Sequence, residues 1–211
     1  MSRDLSVYLV IGRDFTAGRG LLELVAEAVA GGVTLVQLRE KEANLPEFTE
    51  LARALKAILA PTRTPLFIND DVAVARIVGA EGIHLGQSDL PVAEARQLLG
   101  PTVRIGLSVD TREQALAAEA LEVDYLGISP VFPSASKTDT AEPWGLEGLA
   151  WARAHCRHRL VGIGGISQAN AAGVIRAGAD GVAVISAIAS APSPRQAAEK
   201  LSGVVRGALG D

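Results

Sequence analysis

Short apolar runs rich in β-branched residues alternate along the chain with longer amphipathic stretches rich in alanine and leucine. The runs have the length of strands, and their nearly continuous apolar character is typical of a parallel sheet covered on both faces. The longer stretches repeat apolar residues with the helical period. The predicted strands are 7–11, 34–38, 66–68, 82–85, 103–108, 125–128, 160–164 and 181–185. The predicted helices are 19–30, 46–59, 71–79, 91–99, 111–121, 146–156, 168–177 and 194–208.

The order of these elements predicts the architecture. Eight strand–helix units follow one another, which is the pattern of an α/β protein with a parallel sheet. Two topologies fit, a closed (β/α)8 TIM barrel and an open doubly wound sheet. The units show no point at which the strand order would reverse, so we expect the barrel. No linker rich in proline, glycine or serine divides the chain, and we expect a single domain over 1–211.

The composition excludes several classes of protein. Hydrophobic residues make up 48% and charged residues 21% of the chain, which indicates a folded rather than a disordered protein. The net charge of −4 argues against a nucleic-acid partner, because binding to a phosphate backbone needs a basic face. Cys156 is the only cysteine, so an internal disulfide and a cysteine-based metal cluster are excluded.

Membrane and targeting segments are not predicted. The apolar run at 7–11 is too short for the apolar region of a signal peptide. Charged residues interrupt every longer apolar stretch before it reaches the ~18 residues of a candidate membrane span. We therefore expect a cytoplasmic protein without a membrane partner, and a homo-oligomer is compatible with the sequence.

Polar residues follow the second predicted strand, at an end that forms part of the active face in a barrel. The period of two places Gln37, Arg39 and Lys41 on one side and Leu38 on the other. If that side faces the mouth of the barrel, an amide and two cations point together. The alternative is a solvated strand end with surface charges.

Acidic residues follow the third and fourth predicted strands. Asp70 and Asp71 come after Asn69, and Asp89 comes shortly after the strand that contains His84. Either Asp71 or Asp89 could instead cap the helix that follows it. Two acids at adjacent strand ends suit Mg²⁺, which takes one or two carboxylates together with phosphate oxygens and water. His84 is either a buried histidine with satisfied hydrogen bonds or a residue that lines a substrate pocket.

The segment 129–145 is the one long loop in the predicted fold, and a loop this long in a compact barrel is usually functional. It contributes Ser134, Ser136 and Lys137, and Ser108 ends the neighbouring fifth strand. Hydroxyls and an ammonium group in this arrangement suit a diphosphate. The alternative is a polar loop in solvent.

Glycines and small residues end the last two strands. Gly165 follows the seventh strand, and Ile185 and Ser186 lie at the end of the eighth. Glycine lets the backbone approach an anion closely, and barrels commonly bind phosphate at these two loops. A glycine pair alone could also mark only a tight turn.

Taken together, these residues resemble the thiamine phosphate synthase family along nearly the whole chain. The matching segments are, in order, Val36-Gln37-Leu38-Arg39-Glu40-Lys41, Phe67-Ile68-Asn69-Asp70, Gly82-Ile83-His84-Leu85-Gly86-Gln87, Asp89, Ile105-Gly106-Leu107-Ser108, Pro130-Val131-Phe132-Pro133 with Lys137, Ile163-Gly164-Gly165-Ile166, and Gly178 to Ser186. The first and fifth of these are highly specific in combination, whereas the last two occur more widely among phosphate-binding barrels.

The resemblance implies a transferase of thiamine biosynthesis that uses Mg²⁺. Such an enzyme joins hydroxymethylpyrimidine diphosphate to hydroxyethylthiazole phosphate and releases pyrophosphate. By resemblance, Gln37 and Asn69 would hold the pyrimidine, and His84 would lie near its ring. The residues implied to hold the diphosphate and to act in catalysis are Arg39, Lys41, Ser108 and Lys137.

The metal and the second substrate have their own implied sites. Asp70 and Asp89 would hold Mg²⁺, and Gly165 and Ser186 would lie at the thiazole phosphate. Ile185, beside Ser186, is also expected to contact substrate. We expect both substrates to be small molecules, with no nucleic acid involved.

The chain departs from the family pattern in the long loop. Ser129 stands where a glycine is usual, and Ser134 and Ser136 stand where threonines are usual. Serine keeps the hydroxyl, so we expect function to survive. The alternatives are another phosphate-binding barrel, such as the related thiazole tautomerase or an indole-pathway isomerase, and a non-catalytic barrel that binds thiamine intermediates. The tautomerase uses a histidine where this chain has Pro130, which favours the synthase.

Overall fold

The computed structural model describes residues 4–133 and 142–210. Eight parallel strands close into a barrel in the order β1-β2-β3-β4-β5-β6-β7-β8, and β8 pairs back with β1. The predicted barrel is confirmed, and the open doubly wound sheet is excluded. The strands are β1 (Val7–Ile11), β2 (Leu35–Leu38), β3 (Leu66–Asn69), β4 (Gly82–Leu85), β5 (Arg104–Val109), β6 (Tyr125–Ile128), β7 (Arg159–Ile163) and β8 (Gly181–Val184).

Helices follow the strands around the outside of the barrel. They are α1 (Leu21–Ala30), α2 (Leu45–Leu59), α3 (Val72–Val78), α4 (Val92–Leu99), α5 (Arg112–Ala117), α6 (Gly145–His155), α7 (Ala171–Arg176), α8 (Ser186–Ala189) and α9 (Pro194–Leu209). Single 3₁₀ turns occupy Arg13–Phe15, Ala60–Thr62 and Ala118–Ala120. Within the described ranges, no helix is both long and apolar enough to cross a membrane.

Side-chain caps set several helix starts. The carboxylate of Asp71 accepts a hydrogen bond of 2.8 Å from the backbone N–H of Val74 at the start of α3. Asn44 caps α2, and Thr111 caps α5 in the same way. These side chains satisfy backbone donors that have no partner within the helix. Asp71 therefore has the capping role that the sequence left open, whereas α4 begins after Pro91 rather than at Asp89.

The structure differs from the prediction at two places just beyond the carboxyl ends of β7 and β8. The short helix α8 begins directly after β8 and was not predicted, because four residues are too few to show a helical period. The helix predicted from residue 168 begins only at Ala171. The side chain of Asn170 accepts a hydrogen bond of 2.8 Å from the N–H of Ser167, and this turn takes the place of the first helical residues.

Successive side chains of each strand point to opposite faces, which divides the core into an outer and an inner layer. Outward side chains such as Leu9 and Ile68 pack between the barrel and the helices. The inner layer contains the large rings of Tyr8, Phe67 and Tyr125, all of which are buried. The three rings lie with centroids 6.0–6.3 Å apart and fill the centre of the barrel.

Glycines on neighbouring strands leave the space for two of these rings. A Cβ at Gly106 on β5 would overlap the ring and hydroxyl of Tyr125. Another at Gly82 on β4 would overlap the ring of Phe67. Because a barrel interior is packed as tightly as a crystal, neither ring can retreat without displacing others.

We predict that Gly106→Ala destabilises the barrel by about 1–3 kcal/mol, the usual cost of overpacking a filled core. The matched control is Gly203→Ala within α9. Among the described residues, no atom outside that helix's own backbone lies within 4 Å of the Cβ that Gly203 would gain. The control should leave the free energy of unfolding unchanged or raise it by up to about 1 kcal/mol. Urea unfolding of the three proteins measures both effects, and equal stabilities would contradict this packing account.

Candidate functional site

A cavity of about 450 Å³ opens at the carboxyl ends of the barrel strands. Its floor is formed by inward side chains of the strands, and its rim by the loops that follow them. Nine residues predicted for the site line this cavity: Gln37, Arg39, Lys41, Asn69, Asp70, His84, Asp89, Ser108 and Ile185. Tertiary structure thus brings together polar residues that are far apart in the sequence.

The remaining predicted residues fall into two groups. Gly165 and Ser186 do not line the cavity, although each lies two residues or fewer beyond a lining residue, Ile163 or Ile185. Ser134, Ser136 and Lys137 lie outside the described residues. Their predicted roles at the diphosphate stay predictions.

The cationic side of the cavity follows β2. Arg39 and Lys41 line the cavity, while Glu40 between them turns away and accepts a hydrogen bond of 2.8 Å from the guanidinium of Arg13. The alternation predicted from the sequence therefore continues past the end of the strand. The Lys41 ammonium donates a hydrogen bond to the Asp70 carboxylate and joins the cationic side to the acidic side.

The acidic side consists of Asp70 and Asp89. Asp70 has a left-handed backbone, with φ of 62°, and its N–H donates to the carbonyl of His84 at 2.9 Å. This places its carboxylate beside Lys41 at the rim. Asp89 accepts a hydrogen bond of 2.6 Å from the N–H of Gly86. Aspartate tolerates the left-handed region better than most residues, so little strain is stored at Asp70.

The two carboxyl groups perturb each other. Burial and the hydrogen bond with Asp89 raise the pKa of Asp70, and the ammonium of Lys41 only partly offsets this. Burial also acts to raise the pKa of Asp89, but hydrogen bonds with Asp70 and with the N–H of Gly86 outweigh it and lower that pKa. Such paired carboxyl groups concentrate negative charge that a cation would neutralise.

Within residues 4–133 and 142–210, no larger metal-binding cluster accompanies this pair. Among the residues that the structure describes, no group of three or more histidine, cysteine or acidic side chains could hold a metal ion. The donor set is thus two carboxylates, which suits a hard cation that completes its shell with phosphate oxygens and water, and does not suit zinc.

A row of hydrogen-bonded polar groups crosses the floor of the cavity. The amide of Gln37 donates to the hydroxyl of Tyr8, which lies 2.9 Å from the hydroxyl of Tyr125. The Tyr125 hydroxyl lies 2.8 Å from Nδ1 of His84, and Nε2 of His84 lies 2.8 Å from the hydroxyl of Ser108. His84 is therefore a histidine with satisfied hydrogen bonds and also lines the cavity, so both interpretations of it hold.

Sequence reasoning missed several residues of the cavity. Tyr8 and Tyr125 were assigned only to strands, although they are the only tyrosines in the chain. Their rarity together with their place on predicted strands was the available signal. Asp110 and Ser129 follow β5 and β6 and also line the cavity. A search of every residue just beyond a strand would have found these two.

The glycine pair after β7 has a steric reason that the sequence did not reveal. Gly165 has φ of 62°, and a Cβ there would lie 2.6 Å from the carbonyl oxygen of Pro133 and 2.8 Å from Cβ of Phe132. The glycine therefore lets the loop after β6 pack against the end of β7. A larger residue at Gly165 would therefore displace that loop.

Comparison with known proteins adds an independent observation. A family model described as thiamine monophosphate synthase matches residues 7–188. The chain belongs to this family. Membership was predicted from the motifs at the strand ends and is confirmed.

Individual members of the family are similar over almost the whole chain. A thiamine-phosphate synthase of Albidiferax ferrireducens is 53% identical over 93% of this chain and 90% of its own length. One from Azorhizobium caulinodans is 50% identical over 96% of this chain and 95% of its own. The solved structure of a thiamine phosphate pyrophosphorylase from Pyrococcus furiosus superposes with a TM-score of 0.89 at 36% identity and covers 98% of both chains.

Proposed function

We propose that this chain is a transferase that condenses hydroxymethylpyrimidine diphosphate with hydroxyethylthiazole phosphate to give thiamine phosphate and pyrophosphate. One observation carries the proposal: a single cavity collects two cations, the paired carboxyl groups of Asp70 and Asp89, and a row of polar groups at the strand ends. The activity in the names of relatives up to 53% identical supports it, and it agrees with the activity predicted from the sequence.

The pyrimidine diphosphate occupies the side of the cavity from β2 to β5. Gln37, Asn69 and His84 offer amide and imidazole groups to the ring near the floor. Arg39 and Lys41 are nearer the rim, where they stabilise the charge that grows on the departing pyrophosphate. Ser108 contributes a hydroxyl on the same side, and Lys137 in the loop is predicted to contribute a third cation.

Asp70 and Asp89 would hold Mg²⁺ together with oxygens of the diphosphate. The residues fit this ion, because two carboxyl groups within hydrogen-bonding distance of each other line the cavity and offer the hard oxygen donors that Mg²⁺ prefers. When bound, the ion supplies neutralisation of the leaving group. The cavity otherwise holds the diphosphate through the cations of β2.

The reaction needs positioning more than acid–base chemistry. Loss of pyrophosphate leaves a benzylic-type cation that the amino group of the pyrimidine delocalises, so no protein nucleophile is required. Gly165, Ile185 and Ser186 lie at the ends of β7 and β8, on the side of the mouth opposite β3 and β4. A thiazole phosphate held there presents its nitrogen to the cation across the cavity.

A direct assay tests the proposal. Purified protein mixed with both substrates and Mg²⁺ should form thiamine phosphate and release an equal amount of pyrophosphate. Isomerisation of the thiazole substrate without condensation would instead assign the chain to the tautomerases. Calorimetric binding of both substrates without turnover would indicate a non-catalytic binding protein.

The cellular setting stays a prediction from the sequence. It comprises a cytoplasmic location, partners limited to small-molecule substrates and a homo-oligomer that is compatible with the sequence. It also includes the extent of a single domain over residues 1–211.

We predict that Asp89→Asn lowers kcat at least about 100-fold, because the charge on the leaving group is then less well neutralised. Asparagine can still accept the hydrogen bond from Gly86, so the fold should be kept. The control is Asp71→Asn, which preserves the cap of α3 and lies outside the cavity lining. Steady-state kinetics with a Mg²⁺ titration measures both variants. Full turnover of the unmodified protein in excess chelator would contradict the metal role.

We also predict that the two substrate sites are separable. Ser186→Ala should raise KM for thiazole phosphate roughly 10-fold or more, the effect of losing a hydrogen bond to a charged group. Binding of the pyrimidine diphosphate, measured by calorimetry with Mg²⁺, should change by less than about 1 kcal/mol because distant sites act nearly independently. Ser190→Ala, just beyond the other end of α8, is the control. Equal loss of both ligands by a folded Ser186→Ala protein would show that the division of the site is wrong.

A further inference from the structure

The polar row across the cavity floor consists of five side chains from five strands or strand ends. In order they are Gln37, Tyr8, Tyr125, His84 and Ser108. Gln37, Tyr8 and Tyr125 are buried, with exposed fractions of 3%, 1% and 1%. Water therefore has little access to this end of the row, and each proton must be accounted for by the neighbouring groups.

Each tyrosine brings one proton to the row. The pKa values of Tyr8 and Tyr125 are both raised well above the ordinary value for tyrosine, and burial is the largest cause of each shift. Both side chains are therefore neutral phenols that can donate one hydrogen bond each. The direction of donation along the row is then decided by its two ends.

The amide of Gln37 sets the direction at one end. Its nitrogen can only donate, so the oxygen of Tyr8 accepts and the Tyr8 proton is given to Tyr125. The Tyr125 proton then goes to Nδ1 of His84. An amide rotated to present its oxygen to Tyr8 would reverse every donor in the row, so the protonated nitrogen of His84 reports the direction.

We propose that Tyr125 is a positioning residue that fixes His84 as the tautomer protonated on Nε2, so that the hydroxyl proton of Ser108 is kept for an oxygen of the bound diphosphate. His84 Nε2–H donates to the oxygen of Ser108, which leaves the serine proton free to turn toward the ligand. The inference rests on the proposed function for the identity of that ligand.

The opposite direction would make the floor unsuitable for an anion. If His84 carried its proton on Nδ1, its Nε2 would accept the Ser108 proton. The serine would then present only lone pairs to the phosphate oxygens, which also carry lone pairs and negative charge. Control of one proton at the buried end of the row thus decides whether Ser108 attracts or repels the diphosphate.

Packing holds the geometry that this control requires. The rings of His84 and Tyr125 stack with centroids 5.6 Å apart and an interplanar angle of 24°. A Cβ at Gly127 would lie 3.1 Å from Cε1 of His84, so the imidazole lies tightly against β6. The ring of Tyr125 lies against Gly106 with no space for a Cβ. These contacts hold the two rings side by side in the geometry that the hydrogen bonds need.

The first experiment reads the tautomer directly in the ligand-free protein. Two-bond ¹H–¹⁵N correlation spectra of protein with ¹⁵N-labelled histidine distinguish a protonated ring nitrogen from an unprotonated one. The chain has three histidines. His155→Gln and His158→Gln each remove one signal set and leave that of His84 assigned. We expect His84 at pH 8 to be protonated on Nε2 alone. Protonation on Nδ1, or on both nitrogens, would overturn the proposal.

The second experiment removes the hydroxyl that fixes the tautomer. Tyr125→Phe keeps the ring against Gly106, and His84 should then populate both neutral tautomers. With substrates, kcat should fall roughly 10-fold, one hydrogen bond's contribution, while KM for the pyrimidine diphosphate changes less, because the Ser108 contact strengthens as the pyrophosphate leaves. A Tyr125→Phe protein whose His84 stays wholly protonated on Nε2 would overturn the positioning role, whatever its activity.

The two outcomes separate this inference from the proposed function. The tautomer is measured without substrate, so it holds or fails whether or not thiamine phosphate is formed. If the protein makes thiamine phosphate while His84 is protonated on Nδ1, the proposed function stands and the inferred role of Tyr125 is wrong.

Discussion

Several rings in the interior of the barrel pack directly against glycines on neighbouring strands, where a Cβ would have too little space. Tyr125 lies against Gly106, and His84 lies against Gly127 with little space to spare. The strands of a closed barrel cannot move apart independently, so this close packing constrains where the rings lie in the interior. The rings form the floor of the cavity, so the depth of the site and the position of its polar groups both follow from the packing of ring on glycine.

Above that floor, the strand order decides the electrostatics. The cations follow β2, and the carboxylates follow the neighbouring strands β3 and β4. The contact of Lys41 with Asp70 balances part of this charge, while burial and Asp89 raise the pKa of Asp70. A site with adjacent cations and carboxylates suits a ligand that carries several negative charges together with a divalent ion. This arrangement agrees with the diphosphate substrate that we propose, in a protein whose net charge is −4.

Much of the site could be predicted because strand ends converge in any parallel barrel. Once the periodicity had placed Gln37, Arg39 and Asp70 just inside or beyond strands, their meeting at one mouth followed from the topology. The hydrogen-bond partners did not follow. Asp71 and Asp89 could each cap a helix by sequence, and only the backbone geometry shows that Asp71 does so while Asp89 bonds to Gly86.

By itself, the sequence determined the eight strands, their order and the residues near their ends, because the period of the apolar residues and the local motifs depend only on neighbouring residues in the chain. The tertiary structure alone decided that Tyr8 and Tyr125 join His84 in one row, since these contacts span 117 and 41 residues and depend on which strands face each other across the barrel. It also decided why Gly165 is glycine: the close approach of Phe132 and Pro133 leaves no space for a Cβ. Distances across a closed barrel are set by how all its side chains pack together, and no local pattern in the sequence contains them.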